Sequence, residues 1–161
     1  MQFAAPFLSD PMEINPDWID YNGHLNMAYY NVLFDTGVDH LWKKMGFGPD
    51  YIAERGFTTF SAEFHVCYIR ELHLGSQVRA SFQLLDFDEK RFHFYQELRH
   101  EDGWVAATGE GLGLHIDTKG PRVAAMPDDI FQNVIALGKA HAHLPKPDRV
   151  GRTMGIPRKA T

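Results

Sequence analysis

The sequence has a single cysteine, Cys67, in 161 residues. That count excludes an intramolecular disulfide and a cysteine-rich zinc site. A lone thiol suits a reducing compartment. No run of apolar residues approaches the roughly 18 that a bilayer span needs. The opening Met1-Gln2-Phe3-Ala4-Ala5-Pro6-Phe7 lacks the basic region and apolar core of a signal peptide. The cytoplasm is therefore the expected location. Basic residues are also short: 16 Lys and Arg stand against 21 Asp and Glu, a formal net charge of −5. A general nucleic-acid binder needs a dominant basic field, so neither nucleic acid nor a membrane is an expected partner. A P-loop, a glycine-rich dinucleotide turn and a Gly-x-Ser-x-Gly elbow are all missing. Of nine histidines only His141 and His143 are close in sequence, and no helical His-x-x-x-His pair carries a carboxylate. No metal and no redox cofactor is expected.

What is present is an aromatic chain of one-domain size, with 12 Phe, six Tyr and three Trp. Met12–Trp18 reads as a first strand, interrupted at Asn15-Pro16. A polar turn follows over Asp20–His24. From Asn26 to about Met45 apolar residues recur at spacings of three and four (Tyr30, Phe34, Val38, Leu41, Met45), which predicts a long helix with Asn26 as a possible N-cap and Gly46 as its stop. A short turn or helix falls near Pro49–Glu54. The period then drops to two. Phe60, Ala62, Phe64, Val66 and Tyr68 form one face of a strand over Thr58–Arg70, and Thr59, Ser61, Glu63 and His65 the other. Further strands are predicted over Gln77–Leu85, Arg91–Arg99 and Trp104–Ile116, joined by tight turns as antiparallel neighbours. Gly109, Gly111 and Gly113 make a stripe that lets another backbone approach, with Gly37 of the helix as its expected partner. Pro127–His141 reads as a second amphipathic helix. The domain is expected over 1–143. The segment 144–161, with five basic residues from Lys146 to Lys159 and one acid, is expected to be an extended basic tail.

Strand, long helix, then strands is the order of an α+β domain in which one helix is wrapped by a curved antiparallel sheet of five to six strands. It matches the hotdog fold. Just ahead of the helix, Asp20, Asn22 and His24 lie at period two. Free amides of a helix's first turn carry partial positive charge, and acyl transfer needs a base or nucleophile beside donors aimed at a developing oxyanion. A carboxylate there is by spacing alone more often a cap than a catalyst.

The run Asp20-Tyr21-Asn22-Gly23-His24-Leu25-Asn26, continuing into Met27-Ala28-Tyr29-Tyr30, resembles the Asp-x-x-Gly-His-x-Asn-x-x-Tyr segment of hotdog thioesterases of the 4-hydroxybenzoyl-CoA type. The same stretch resembles the Asp-x-Asn-x-His pattern of plant acyl-ACP thioesterases. The first resemblance implies Asp20 as the catalytic carboxylate, attacking the thioester or activating water. The second implies roles for Asn22 and His24. Together they imply an acyl-CoA hydrolase that needs no cofactor beyond the coenzyme A of its substrate. Asn26, Tyr29, Tyr30 and Thr59 are the expected substrate contacts. Lys90 and Arg91, and the basic tail, are candidates for the CoA phosphates. Such relatives self-associate, so a homodimer or homotetramer is expected; if the site lies between subunits, Thr58–Glu63 of a neighbour would face Asp20. Leu84–His93, Ala107–Glu110 and His115-Ile116-Asp117 also look like thioesterases of carnitine breakdown, which act on betainyl-CoA. A trimethylammonium group would call for an aromatic cage, for which Trp18, Tyr29, Tyr30, Phe34 and Trp42 are near in sequence. The same aromatics can equally be helix core. A non-catalytic hotdog module binding an acyl-thioester or a small cation is the alternative.

Overall fold

The computed structural model describes residues 2–158. Its backbone is the long helix α1 (Met27–Met45) and four long strands: β3 (Phe57–Tyr68), β4 (Gln77–Phe87), β5 (Arg91–His100) and β6 (Val105–Asp117). Short elements complete it: β1 (Phe7–Leu8) and β2 (Met12–Glu13) before the helix, α2 (Pro49–Arg55) after it, then β7 (Arg122–Val123) and α3 (Asp128–His141). The Asn26 side chain caps α1 by accepting from Ala28 N–H. Gly46 ends the helix in the left-handed region, at φ 89°, where a glycine costs no Cβ clash. The expected first strand is shorter than predicted. Asn15-Pro16 turns the chain after Glu13 into a 3-10 turn over Pro16–Trp18, because proline has no amide for a ladder.

All pairings are antiparallel, and the long strands run in the order β4-β5-β6-β3. This corrects the expectation that successive strands are neighbours. The segment from Ile69 to Ser76 is too long for a hairpin turn, and it carries the chain from β3 at one edge to β4, three positions away. β1 and β2 both add to β4. The result is an α+β hotdog architecture: a curved antiparallel sheet around α1.

The core forms two contiguous groups along α1. Leu41, Met45, Phe82, Phe92 and Phe94 pack with Ile130, Val134 and Leu137 of α3. Leu25, Leu33, Phe34, Leu72, Val78 and Leu98 form the other. Each side chain of this size contributes about 1.5–3 kcal/mol when removed from water. Gly37 sits where the helix meets the sheet, and a Cβ built there would lie 2.3 Å from Ala80 Cβ of β4. Its partner is thus β4, not the glycine stripe of β6. That stripe serves a different purpose: the rings of Phe64 and Phe94 occupy the space over Gly109 and Gly111, each reaching 2.3 Å from a built Cβ.

A β-bulge at Ala62 divides β3, because Ser61 pairs with Gly113 and Glu63 with the very next residue, Leu112. An extra residue shifts the alternation by one. Phe64 and Val66 point inward as predicted, but on the other side of the bulge Thr59 faces the helix and Phe60 is 51% exposed. Residues 144–158 form no helix or strand, and the stretch from Pro145 to Gly151 is bonded to the sheet. Gln83 Nε2–H donates to Pro145 C=O, and Gly151 N–H donates to Glu110 Oε2 at 2.7 Å. The basic residue Lys159 lies outside the described residues.

Candidate functional site

The turn ahead of α1 is built almost entirely from its own hydrogen bonds. Gly23 N–H donates to Asp20 C=O, and Asp20 N–H donates to His24 C=O. Ile19 and Leu25 close it with an isolated bridge. Gly23 holds φ +80°, which glycine adopts without strain. Within this frame the Asp20 carboxylate is held at both oxygens. Oδ1 accepts Asn22 N–H at 2.8 Å, and Oδ2 accepts Asn26 Nδ2–H at 3.1 Å. Asp20 is therefore not the helix cap. Asn26 is, and it spans both jobs: Oδ1 accepts from Ala28 N–H at 3.0 Å while Nδ2 grips Asp20. The amide that the sequence suggested as a substrate contact has both ends engaged inside the chain.

The expected supply of free helix amides is narrower than the sequence implies. Ala28 N–H goes to Asn26 Oδ1 and Tyr29 N–H to Asn26 C=O. That leaves Met27 as the uncommitted amide of the first turn among the described residues. His24 lies beside Asp20 in the turn. Its Nδ1 is 3.3 Å from Leu25 C=O, and because a carbonyl only accepts, that nitrogen carries the proton.

The remaining predicted site residues separate into two groups. Tyr29 is half-buried and stacks on Trp18 with centroids 5.4 Å apart and planes 11° from parallel. Tyr30 turns inward, buried to 3%, and its hydroxyl accepts Leu72 N–H. Burial raises the Tyr30 phenol above its ordinary pKa. Phe34 and Trp42 are buried to 1% and 8% and belong to the core. Of the five cage candidates, only Trp18 and Tyr29 thus keep faces near the junction.

Thr59, Lys90 and Arg91 are not brought to Asp20 within one chain. Thr59 Oγ1 accepts from Trp42 Nε1–H at 2.8 Å, some 15 residues or about 22 Å along α1 from Met27. Lys90 C=O accepts from His115 N–H, and His115 is the ladder partner of Thr59. Arg91 is closed onto Asp88 through both Nε and a terminal nitrogen. That bond holds the Asp88 carboxyl below its usual range.

Two other histidines, His115 and His141, serve the structure. His115 is fully buried, donating from Nδ1 to Ala124 C=O and pairing through Nε2 with the Tyr51 hydroxyl at 2.9 Å. Burial pushes Tyr51 up to about 12 and His115 below its ordinary value. His141 accepts Leu84 N–H at Nδ1 and donates from Nε2 to Ala4 C=O. Among the described residues no group of three or more His, Cys, Asp or Glu is arranged to hold a metal, and no helix is long and apolar enough to cross a membrane.

A cleft of about 440 Å³ opens between β4, α3 and the C-terminal segment, lined by Leu84, Phe87, Gly138, His141 and Lys146 among others. None of the Asp20 turn lines it. The Asp20 site is marked by a doubly held carboxylate at a helix start, and in one chain it is open to solvent rather than enclosed. One further neighbour, His73, carries no mark in the sequence. It reaches the turn from the segment linking β3 and β4, fifty residues away in the chain.

Residues 14–134 match the thioesterase-like superfamily. The chain is 36% identical over 143 residues to the betainyl-CoA thioesterase of Pseudomonas aeruginosa, covering 88% of this chain and 90% of that protein. It is 34% identical over 153 residues to the L-carnitine dehydrogenase/betainyl-CoA thioesterase of Rhizobium meliloti, covering 94% of this chain but only 31% of that longer protein. Among solved structures, a Staphylococcus aureus hypothetical protein in complex with CoA aligns with TM-score 0.88 at 26% identity, over 98% of this chain and 99% of that one. A putative thioesterase of Pseudomonas putida aligns with TM-score 0.81 at 30% identity, over 95% and 98%. With the family model matched over most of its length and a curated relative aligned over most of both chains, the chain belongs to the thioesterase-like superfamily of hotdog proteins and is a thioester hydrolase.

Proposed function

We propose that this protein hydrolyses an acyl-CoA to the free acid and CoA thiol, with Asp20 as nucleophile or general base and betainyl-CoA or another short acyl-CoA as substrate. The observation that carries the reading is the carboxylate of Asp20, oriented by Asn22 N–H and Asn26 Nδ2 at the start of α1. A carboxylate held at both oxygens loses little orientational freedom on reaction. As a general base it takes a proton from a water that adds to the thioester carbonyl; the C–S bond breaks, and the thiolate of CoA takes up that proton as the free acid forms. As a nucleophile it adds to the carbonyl itself; the C–S bond breaks and leaves the acyl group on Asp20 as an anhydride, and a water then hydrolyses that anhydride, releasing the acid, restoring the carboxylate and supplying the proton to the thiolate. Met27 N–H, the uncommitted amide of the first turn, is the donor for the oxyanion, and the side chains of Asn22 and His24 orient substrate or water. The Trp18–Tyr29 pair offers aromatic faces that suit a quaternary ammonium group. That choice of acyl group is also supported by the 36% identity to a betainyl-CoA thioesterase.

The site is completed in this reading by a second copy. β3 is an edge strand with its outer backbone row unpaired by any other strand among the described residues. Two copies pairing antiparallel about the middle of β3 would set Thr59 of one opposite Val66 of the other. Phe57 would then lie beside Tyr68, whose hydroxyl donates to Met27 C=O at the start of α1. Thr59 and Lys90 of one copy would thereby approach Asp20 of the other. This explains why the predicted site residues sit at opposite ends of a single chain.

The test is free-thiol release from a panel of thioesters, namely betainyl-CoA, short aliphatic CoAs and aromatic CoAs, with the parent and Asp20→Asn. The expected result is turnover on a short acyl-CoA and a kcat lower by roughly 10²–10⁴ in Asp20→Asn, the scale of a lost acid–base or nucleophilic group. Near-parental turnover in that variant would remove Asp20 from the mechanism.

A further inference from the structure

We infer that His73 is a positioning residue for this reaction, fixing the Asp20–His24 turn and the ring of His24 from the segment between β3 and β4. The inference rests on the Asp20 reading above. His73 is delivered by a rigid neighbour. Leu72 is fully buried, its N–H donates to the Tyr30 hydroxyl, and its C=O accepts Leu25 N–H at 2.7 Å. The next residue is therefore set against the turn whatever the rest of the segment does. His73 Nδ1 lies 3.3 Å from Gly23 C=O, so this nitrogen carries the proton and donates. Its ring meets His24 edge to face, with centroids 6.2 Å apart and planes at 90°.

The two imidazoles are pinned in the same manner. Each donates from Nδ1 to a backbone carbonyl, His24 to Leu25 and His73 to Gly23. Gly23 sits in the left-handed region, its N–H is held by Asp20 C=O, and a built Cβ there meets nothing within 4 Å, so no neighbouring side chain packs on its Cα. The bond from His73 supplies a restraint that packing does not. The peptide that it holds lies between Asn22, whose N–H grips Asp20 Oδ1, and His24. Misplacing these groups by even a fraction of an ångström is costly in acyl transfer.

Asparagine carries its amide nitrogen at the position of Nδ1, so His73→Asn keeps the donor while removing the ring. The experiment measures kcat and KM on the best thioester of the panel, together with Tm, for His73→Ala, His73→Asn, His24→Ala and the His24→Ala/His73→Ala pair. His73→Ala is expected to lower kcat by roughly tenfold with KM within about twofold. His73 is exposed, so Tm is expected to stay within about 2 °C of the parent. His73→Asn should recover most of the rate. The double variant should fall little below His24→Ala, as expected of a residue that acts through its neighbour. Parental kcat in His73→Ala, equal losses in the Ala and Asn variants, or multiplicative losses in the double variant would each overturn the inference. Asp20→Asn in the same assay separates the two claims. If it is active, the Asp20 reading fails. If it is inactive while His73→Ala is parental, only the role of His73 falls.

Discussion

Asn26 is the residue whose replacement tests the site most sharply, because it performs two separable functions. Its Oδ1 caps α1 through Ala28 N–H, and its Nδ2 holds Asp20 Oδ2 at 3.1 Å. Asn26→Ala removes both. Loss of the cap costs about 1 kcal/mol, which in a chain of this length lowers Tm by about 2–4 °C. Loss of a hydrogen bond to a charged group costs about 1.5–3 kcal/mol where that bond orients the reacting carboxylate, which corresponds to roughly 10- to 100-fold in kcat. Asn26→Asp keeps the cap, since aspartate is as good an N-cap as asparagine. It also places a second carboxylate about 3 Å from Asp20, and two such groups share a proton instead of both ionising. The Asp variant should therefore unfold within about 1 °C of the parent at pH 8 and yet lose at least as much activity as the Ala variant, with a rate that climbs with pH as the shared proton is lost. The measurements are thermal unfolding by circular dichroism and kcat from thiol release between about pH 5 and 9. Parental kcat in Asn26→Asp would show the bond to Asp20 to be idle. An unchanged Tm in Asn26→Ala would show that Asn26 contributes nothing as a cap.

Two other outcomes follow from the structure. His141 is a neutral clasp between Leu84 N–H and Ala4 C=O, and burial depresses its pKa, as it does for buried His115. A depressed histidine resists protonation when folded, so the unfolded chain takes up the proton first. Stability is whole above the ordinary histidine range near 6.5 and falls as the pH drops below it. Tm should decline between about pH 7.5 and 5.5, and more shallowly in His141→Leu, which starts lower; a flat parental profile would contradict the clasp. The proposed pairing of two copies through β3 predicts that activity depends on concentration. Specific activity should fall on dilution together with the dimer fraction measured by sedimentation, and Phe60→Lys on the edge strand should shift both to higher concentration. A fully active monomer would contradict a site completed by a second copy.

Local chemistry made much of this protein readable in its sequence. The three-and-four spacing from Tyr30 to Met45, the Asn26 cap and the Gly46 stop are short-range effects, and α1 runs from Met27 to Met45 as they predict. The change to period two placed the four long strands to within a few residues, because alternation is intrinsic to a half-buried strand. The Asp20–Asn26 turn was legible for the same reason: the bonds that hold the Asp20 carboxylate join residues at most six apart.

Long-range pairing decided the rest. The alternation of β3 reads as one strand face, yet the bulge at Ala62 sends Thr59 inward and Phe60 outward, and a bulge is set by the partner strand rather than by the strand's own pattern. Glycines in the helix and in β6 looked like partners by composition; packing gave Gly37 to Ala80 and the stripe to phenylalanine rings. Which aromatics were core and which stood at the junction depended on the sheet that covers α1. Within one chain Thr59, Lys90 and Arg91 lie at the far end of α1 from Asp20, because β3 sets Thr59 beside Trp42 and Lys90 pairs with His115, the ladder partner of Thr59. His73 had no mark in the sequence, because only the fold carries Leu72 across to Leu25 and Tyr30 and so sets an imidazole against Gly23.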